Sequence, residues 1–340
     1  EKKNILRSFF TQIPRKQIFS KRTCCRFACN LLGMERYYEI PDAITHVLEF
    51  RDGRISFCGP RSDYEKIVQE RETDSAKTRT ADKAAFTAQI SGLQKETELI
   101  KEPSAPQGET LIEMNNVNVG WDDHKVLVNL TWALHKGEHW LIRGPNGSGK
   151  TTFLELITGD NMQVYCNDVR MFGIRRGSGE TMWDIKAKLG IVSYRLHVDY
   201  RQVGGTSLRD VIISGFRDSI GLYEQATDVE ISAAMKWLAL GGFAGRENEM
   251  FSSLSYGEQR AVLILRAAVK CPPVLILDEP CHGLDDDYRT KILDLLETVA
   301  ASGTTTLLHV THESDEVLPC EKHILELRPG ESPMYKILGR

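Results

Sequence analysis

The run Gly144-Pro145-Asn146-Gly147-Ser148-Gly149-Lys150-Thr151 is spaced for one kind of chemistry, the capture of a polyphosphate. Its glycines let successive backbone N–H groups turn inward around phosphate oxygens, which a side chain at those positions would block. A helix beginning near Lys150 points the positive end of its dipole at the same anion. Lys150 is placed to reach the β- and γ-phosphates, the Thr151 hydroxyl to ligate Mg²⁺, and Thr152 follows in the same turn. Four fixed positions recur by accident in roughly 1 of 100 chains of this length. An apolar strand before the loop and a helix after it make accident less common still.

A second group lies further along. Val274-Leu-Ile-Leu is followed by Asp278-Glu279-Pro280. A solid apolar run of this kind is expected for a buried parallel strand, and ligands bind outside the carboxyl ends of such strands. Asp278 suits an acid that holds Mg²⁺ through water, and Glu279 suits a base that orients or deprotonates an attacking water. Alone, two acids after an apolar run are as often helix caps or surface groups. Beside a phosphate loop they read as its catalytic complement.

These groups need elements to hold them. Leu111 to Trp121 alternates like a strand, and His139 to Arg143 forms the strand that feeds the loop. Thr151 to Thr158 is the helix that leaves it. Between Ser207 and Ser255 the apolar period is helical, with Leu208, Val211 and Ile212 on one face and Ala234, Trp237 and Leu238 on another. Further helices are expected over Gln259–Val269 and Tyr288–Ala301, and strands over Val274–Leu277 and Thr305–Val310. Alternating strands and helices predict an α/β fold around a parallel sheet.

Four further features resemble the ABC family of ATP-binding cassettes. Leu254-Ser-Tyr-Gly-Glu-Gln259 is similar to its signature, normally LSGGQ. Gly283-Leu-Asp285 resembles the D-loop, Thr311-His312 the switch histidine, and Trp121 the aromatic that stacks on adenine. Singly, Trp121 and His312 read equally as packing or surface residues, and Ser255 as a helix cap. Their order over about 200 residues of sequence is what carries the resemblance.

The resemblance implies a P-loop NTPase fold: a RecA-like parallel core, an antiparallel β subdomain and an ABC-type helical subdomain. It implies ATP and Mg²⁺ as ligands. It makes Lys150, Glu279 and His312 the groups that act on the γ-phosphoryl. It sets Ser255, Gly257 and Asp285 against the nucleotide of a facing cassette, supplied by a homodimer or by another chain. Leu189 to Arg201 and Asp210 to Gly221 are similar to the second cassette of ModF-type molybdenum-transport ATP-binding proteins, which carry two cassettes in one chain. Glu39 to Pro60 resembles the tail of a first cassette in that group. On this reading the chain has lost the front of that cassette, as its first residue, Glu1, also suggests.

There are departures. No glutamine stands near Tyr194, where the family has the residue that senses the metal and the membrane partner. Tyr256 replaces a signature glycine, and Glu258 the usual Gln.

The rest of the chain sets limits. With 340 residues it is expected to hold three zones: 1–69, a basic segment plus cassette tail; 70–109, a linker; and 110–340, the cassette. In the first zone Val47–Phe50 and Arg54–Cys58 are expected to pair around an Asp52-Gly53 turn, followed by a helix from Ser62, as N-cap, to Gln69. In the linker, Ala81–Ile100 has helical spacing. Lys2 to Arg26 holds eight Lys or Arg, but the net charge of -4 gives no general case for nucleic acid. Eight cysteines without a CxxC pair argue for scattered thiols rather than zinc or a disulfide framework. No apolar run reaches the roughly 18 residues that cross a bilayer. The expected setting is cytoplasmic, peripheral at the inner membrane face, with a separate permease as partner. Two other roles stay open, action on nucleic acid or ribosomes and nucleotide-dependent regulation.

Overall fold

The computed structural model describes residues 40–51, 54–71, 109–122, 124–202, 205–313 and 316–339. The chain divides into two units, Glu1–Glu39 and Ile40–Arg340. The first unit, the Asp52-Gly53 turn and the expected helix over 81–100 lie outside the described residues.

The first hairpin pairs β1 (His46–Arg51) with β2 (Arg54–Pro60), antiparallel, and helix α1 (61–71) follows. Tyr64 and Val68 of α1 are buried, and the Tyr64 ring lies 5.2 Å from that of Phe57. Because α1 begins directly at the end of β2, Ser62 sits inside the helix and is not its N-cap.

The cassette region starts with β3 (Thr110–Trp121) and β4 (His124–His135), a long antiparallel pair. Then come β5 (His139–Arg143) and α2 (Lys150–Thr158). Two short strands follow, β6 (Asp168–Met171) and β7 (Ile174–Arg175), then α3 (Met182–Lys186), β8 (Leu189–Val192) and α4 (Tyr194–Gln202). The helical segment holds α5 (Leu208–Ser214), α6 (Asp228–Leu240) and α7 (Tyr256–Ala268). The chain closes through β9 (Val274–Asp278), α8 (Asp286–Ala301), β10 (Thr306–Val310), β11 (Glu321–Leu327) and β12 (Tyr335–Gly339).

Two sheets organise these elements. One has the order β12-β11-β5-β10-β9-β8, parallel except for the edge strand β12. The other is antiparallel, in the order β4-β3-β6-β7. The expected parallel core, antiparallel β subdomain and helical subdomain are all present.

Strand β9 shows how one sheet serves two cores. Val274 and Ile276 pack with Trp132, Phe153 and the antiparallel sheet, while Leu275 and Leu277 pack with α5 to α8. Alternation along a strand sends neighbours to opposite faces, and here both faces are covered. The period assigned to the helical segment also holds: Leu208, Val211, Ile212, Ala234, Trp237 and Leu238 are buried together.

Helix starts follow local chemistry. Thr227 and Ser255 each accept from the third residue inside the helix, and Glu230 and Glu258 reach back, completing capping boxes for α6 and α7. Such caps contribute about 1 kcal/mol each. They move the start of α7 to Tyr256, three residues ahead of the expected Gln259.

Candidate functional site

Backbone ladders bring the candidate residues to one edge. In the parallel sheet β10 lies between β5 and β9, with Val310 opposite both Ile142 and Asp278. Past the strand ends the pairing continues: Thr311 N–H donates to Ile142 O at 3.2 Å, and Glu279 N–H to Val310 O at 2.9 Å. The Gly-rich loop leaves β5 here, His312 follows β10, and Asp278-Glu279 closes β9.

The loop is held open by its glycines. Gly147 and Gly149 have φ of 81° and 95°, in the left-handed region that suits glycine. A Cβ on Gly144 would lie 2.5 Å from Ser148 Oγ, and one on Gly149 would lie 2.8 Å from Val126 Cγ1. Helix α2 starts at Lys150 with no side-chain cap, and its first turn has no acid. Its N-terminal N–H groups are therefore left to an anion.

Lys150 is buried. Its Nζ donates to the carbonyls of Gly144 at 2.7 Å and Pro145 at 3.2 Å. Burial lowers its pKa, and the carboxylates of Glu279 and Asp278 pull it back up. Burial raises the pKa of Asp278, and the neighbouring Glu279 charge adds to the rise. The loop and the acid pair thus share one electrostatic environment.

Glu279 has φ of 47°, which is unusual for a residue with a side chain. Its Oε1 lies 2.9 Å from Nδ1 of His312, and its Oε2 lies 3.8 Å from Nδ1 of His282. The other ring nitrogen of His312 is 3.2 Å from Glu313. The imidazole is therefore held between two carboxylates.

Ser255, Gly257 and Asp285 form a second cluster at the starts of α7 and α8. Ser255 is exposed and caps α7, and Asp285 is exposed and caps α8 through Tyr288 N–H at 2.8 Å. Gly257 lies against the ring of Tyr288, where a Cβ would come within 2.5 Å. The bulky Tyr256 is accommodated by stacking on buried His197, with ring centroids 4.6 Å apart. Its edge also packs near Gly283. At the position without a glutamine, Ser193 directly follows β8 and exposed Tyr194 begins α4.

Trp121 ends β3, half exposed. The facing strand supplies His124, Lys125 and Val126, which line a cavity with Gly147, Pro329, Gly330 and Met334. An adenine platform on this hairpin would thus adjoin the phosphate loop.

The donor set fits MgATP. Ser148 Oγ is buried with no hydrogen-bond partner inside the loop, and the Lys150 ammonium meets only backbone carbonyls there. The Ser148 hydroxyl and the third Lys150 N–H are the donors that a phosphate oxygen would meet. Thr151 and Asp278 are the groups that would hold Mg²⁺ alongside phosphate oxygens. Among the described residues no three His, Cys, Asp or Glu cluster as a metal site. His309, three residues before His312, is buried and pairs with buried Glu321 at 2.8 Å.

Sequence reasoning passed over Arg260, His197 and His282. Arg260 and His197 read as ordinary polar positions in helical segments, and only the fold buries them against the site. His282, three residues after Glu279, carried a signal in its spacing.

The ABC transporter family model matches residues 127–282. The chain is 40% identical over 304 residues to the ABC transporter ATP-binding protein ModF of Escherichia coli (strain K12), covering 88% of this chain and 59% of that protein. It is 30% identical over 222 residues to the uncharacterized ABC transporter ATP-binding protein YlmA of Bacillus subtilis (strain 168), covering 65% of this chain and 83% of that one. The zinc uptake system ATP-binding protein ZurA of Listeria innocua is 30% identical over 220 residues, covering 64% and 82%. The chain spans 59% of the length of ModF and so matches only part of that longer relative. Among solved structures, a dimeric ATP-binding cassette in a post-hydrolysis state with ADP and Pi matches with a TM-score of 0.53 at 23% identity, covering 68% of this chain and 100% of that one. That likeness concerns the fold alone.

Proposed function

This chain belongs to the ABC transporter family of ATPases, and from that premise we propose that its cassette binds MgATP at Gly144–Thr152 and hydrolyses it with Glu279 as general base. The observation that carries the reading is the Glu279–His312 pair at 2.9 Å, set at the strand ends beside the phosphate loop. Its expected ligands are ATP and Mg²⁺.

The reaction is mostly positioning. The backbone N–H groups of the loop and the Lys150 ammonium hold the phosphates. Thr151 and Asp278 would hold Mg²⁺, which would supply charge neutralisation at the phosphate oxygens. Glu279 accepts a proton from the attacking water as the new O–P bond forms. The bond from the γ-phosphorus to the bridging oxygen breaks, and ADP leaves with that electron pair. His312, itself held between Glu279 and Glu313, fixes the direction of the Glu279 carboxylate.

The partner reading is a second cassette. Ser255 and Gly257 lie at the start of α7, apart from the loop, and Ser255 is exposed. A facing cassette can receive that surface and complete both sites. Residues 46–60 also support a two-cassette origin. His46-Val-Leu-Glu-Phe-Arg51 repeats His323-Ile-Leu-Glu-Leu-Arg328, and each run opens an antiparallel hairpin. We read the first hairpin as the closing hairpin of another cassette unit. The ModF-type resemblance extends the role to molybdate or related anion transport with a membrane permease. Among the described residues no helix is long and apolar enough to cross a membrane.

The test is ATP-dependent pairing. In light scattering after gel filtration, Glu279→Gln with MgATP is expected to run as a dimer, and Glu279→Gln with Ser255→Arg as a monomer. A monomer in the first case, or a dimer in the second, would remove the facing-cassette reading.

A further inference from the structure

Arg260 lies in α7, five positions after Ser255, and none of its surface reaches solvent. Its Nη1 donates to the carbonyl of Ser193 at 3.1 Å, and its Nη2 to the carbonyl of Glu279 at 2.9 Å. Its Nε has no hydrogen-bond partner. Enclosing a guanidinium is costly unless fixed groups answer its charge, and here two backbone oxygens do so. The charges of Asp278 and Glu279 also act to keep it protonated against the effect of burial.

The two carbonyls are not arbitrary. Ser193 directly follows β8 and Glu279 directly follows β9, and these strands are neighbours in the sheet. Glu279 carries φ of 47°, so its backbone needs support to stay there. Its N–H is held by Val310 O at 2.9 Å, and its C=O by Arg260. With both sides of the residue fixed, the carboxylate is directed at His312.

We infer that Arg260 is a positioning residue for hydrolysis, holding Glu279 in its left-handed backbone and tying it to the start of the Ser255 helix. This rests on the reading of Glu279 as base. It also gives the missing glutamine position a function, because the end of β8 is clamped by the same side chain.

The test is a double-mutant cycle read by release of labelled γ-phosphate from MgATP, with a fluorescent ATP analogue for affinity. The proteins are the unmodified chain, Arg260→Met, Arg260→Lys, Glu279→Gln, and Arg260→Met with Glu279→Gln. Arg260→Met is expected to lower kcat about tenfold or more with the analogue's Kd within about threefold, a loss confined to the transition state. Arg260→Lys, which keeps a donor for the carbonyls, restores part of the rate. The double variant is expected to be no slower than Glu279→Gln alone, because Arg260 acts through that carboxylate. Losses that multiply, or an Arg260→Met rate within about twofold of the unmodified chain, overturn the inference. If Arg260→Met fails to fold, Arg260→Lys decides. A lower kcat at unchanged Kd supports the inference, and an unchanged kcat overturns it. A Glu279→Gln chain with full turnover, or an unmodified chain with none, removes the base reading and the inference with it. A dead Glu279→Gln beside a fully active Arg260→Met removes the inference alone.

Discussion

His312 Nδ1 and Glu279 Oε1 lie 2.9 Å apart, joined across the ends of β10 and β9. A carboxylate that accepts from an imidazole is fixed in direction, so the water it activates is fixed too. His312→Ala is expected to reduce kcat by roughly 10²-fold with little change in ATP affinity, as for loss of one preorganised donor. Steady-state phosphate release and analogue binding on the same samples check this. A variant with near-normal kcat would release His312 from the mechanism.

Asp278 has its pKa raised, first by burial and then by the charge on Glu279. A folded-state pKa above the unfolded value means the folded state holds its proton longer. Stability then falls as pH rises from the ordinary aspartate value, 3.8, through the folded pKa, and the cost persists above it. Asp278→Asn should therefore raise the melting temperature of the nucleotide-free protein at neutral pH, and the gain should vanish toward acid pH. The same variant should lose Mg²⁺-dependent stabilisation by ATP. Thermal melts over a pH series with and without MgATP test both halves. A lower melting temperature at neutral pH would contradict the assignment.

Gly257 is expected to resist substitution for a packing reason. A Cβ there would sit 2.5 Å from the Tyr288 ring, which α8 holds in place through the Asp285 cap. Gly257→Ala should destabilise the fold by about 1–3 kcal/mol, as for overpacking. Denaturant melts give the figure directly. If Gly257→Ala melts like the unmodified chain and fails only in catalysis, the glycine serves the facing nucleotide alone.

Tyr256→Gly would bring back the glycine usual in the family, yet it should weaken this protein. It removes the ring stacked on buried His197 at 4.6 Å, and His197 Nε2 is already committed to Gln259 at 2.8 Å. The expected loss is about 1 kcal/mol beyond that of the buried area, measured by denaturant melts. An unchanged or higher stability would mean that the stack contributes nothing.

These relationships mark what the sequence could and could not disclose. The loop, β5, β9 and the acid pair were legible because their residue types act locally: glycine for positive φ, continuous apolar runs for buried strands. The helical segment was legible because its apolar period is unbroken over Leu208–Ile212 and Ala234–Leu238. The start of α7 was missed because capping by Ser255 outweighed the apolar pattern used to place it. Strands β4 and β12 went unassigned although each pairs with the strand just before it; β6, β8 and β11 went unassigned because each pairs with a strand distant in sequence, β3, β9 and β5. Arg260 was invisible for the same reason, since its two acceptors lie 67 and 19 positions away.

The most direct test of the account is steady-state MgATP hydrolysis against protein concentration, for the unmodified chain and Glu279→Gln. The account predicts specific activity that rises with concentration as cassettes pair, and a Glu279→Gln rate lower by about 10²-fold or more, as for loss of a general base. Activity independent of concentration, or a Glu279→Gln variant that turns over like the unmodified chain, would contradict it.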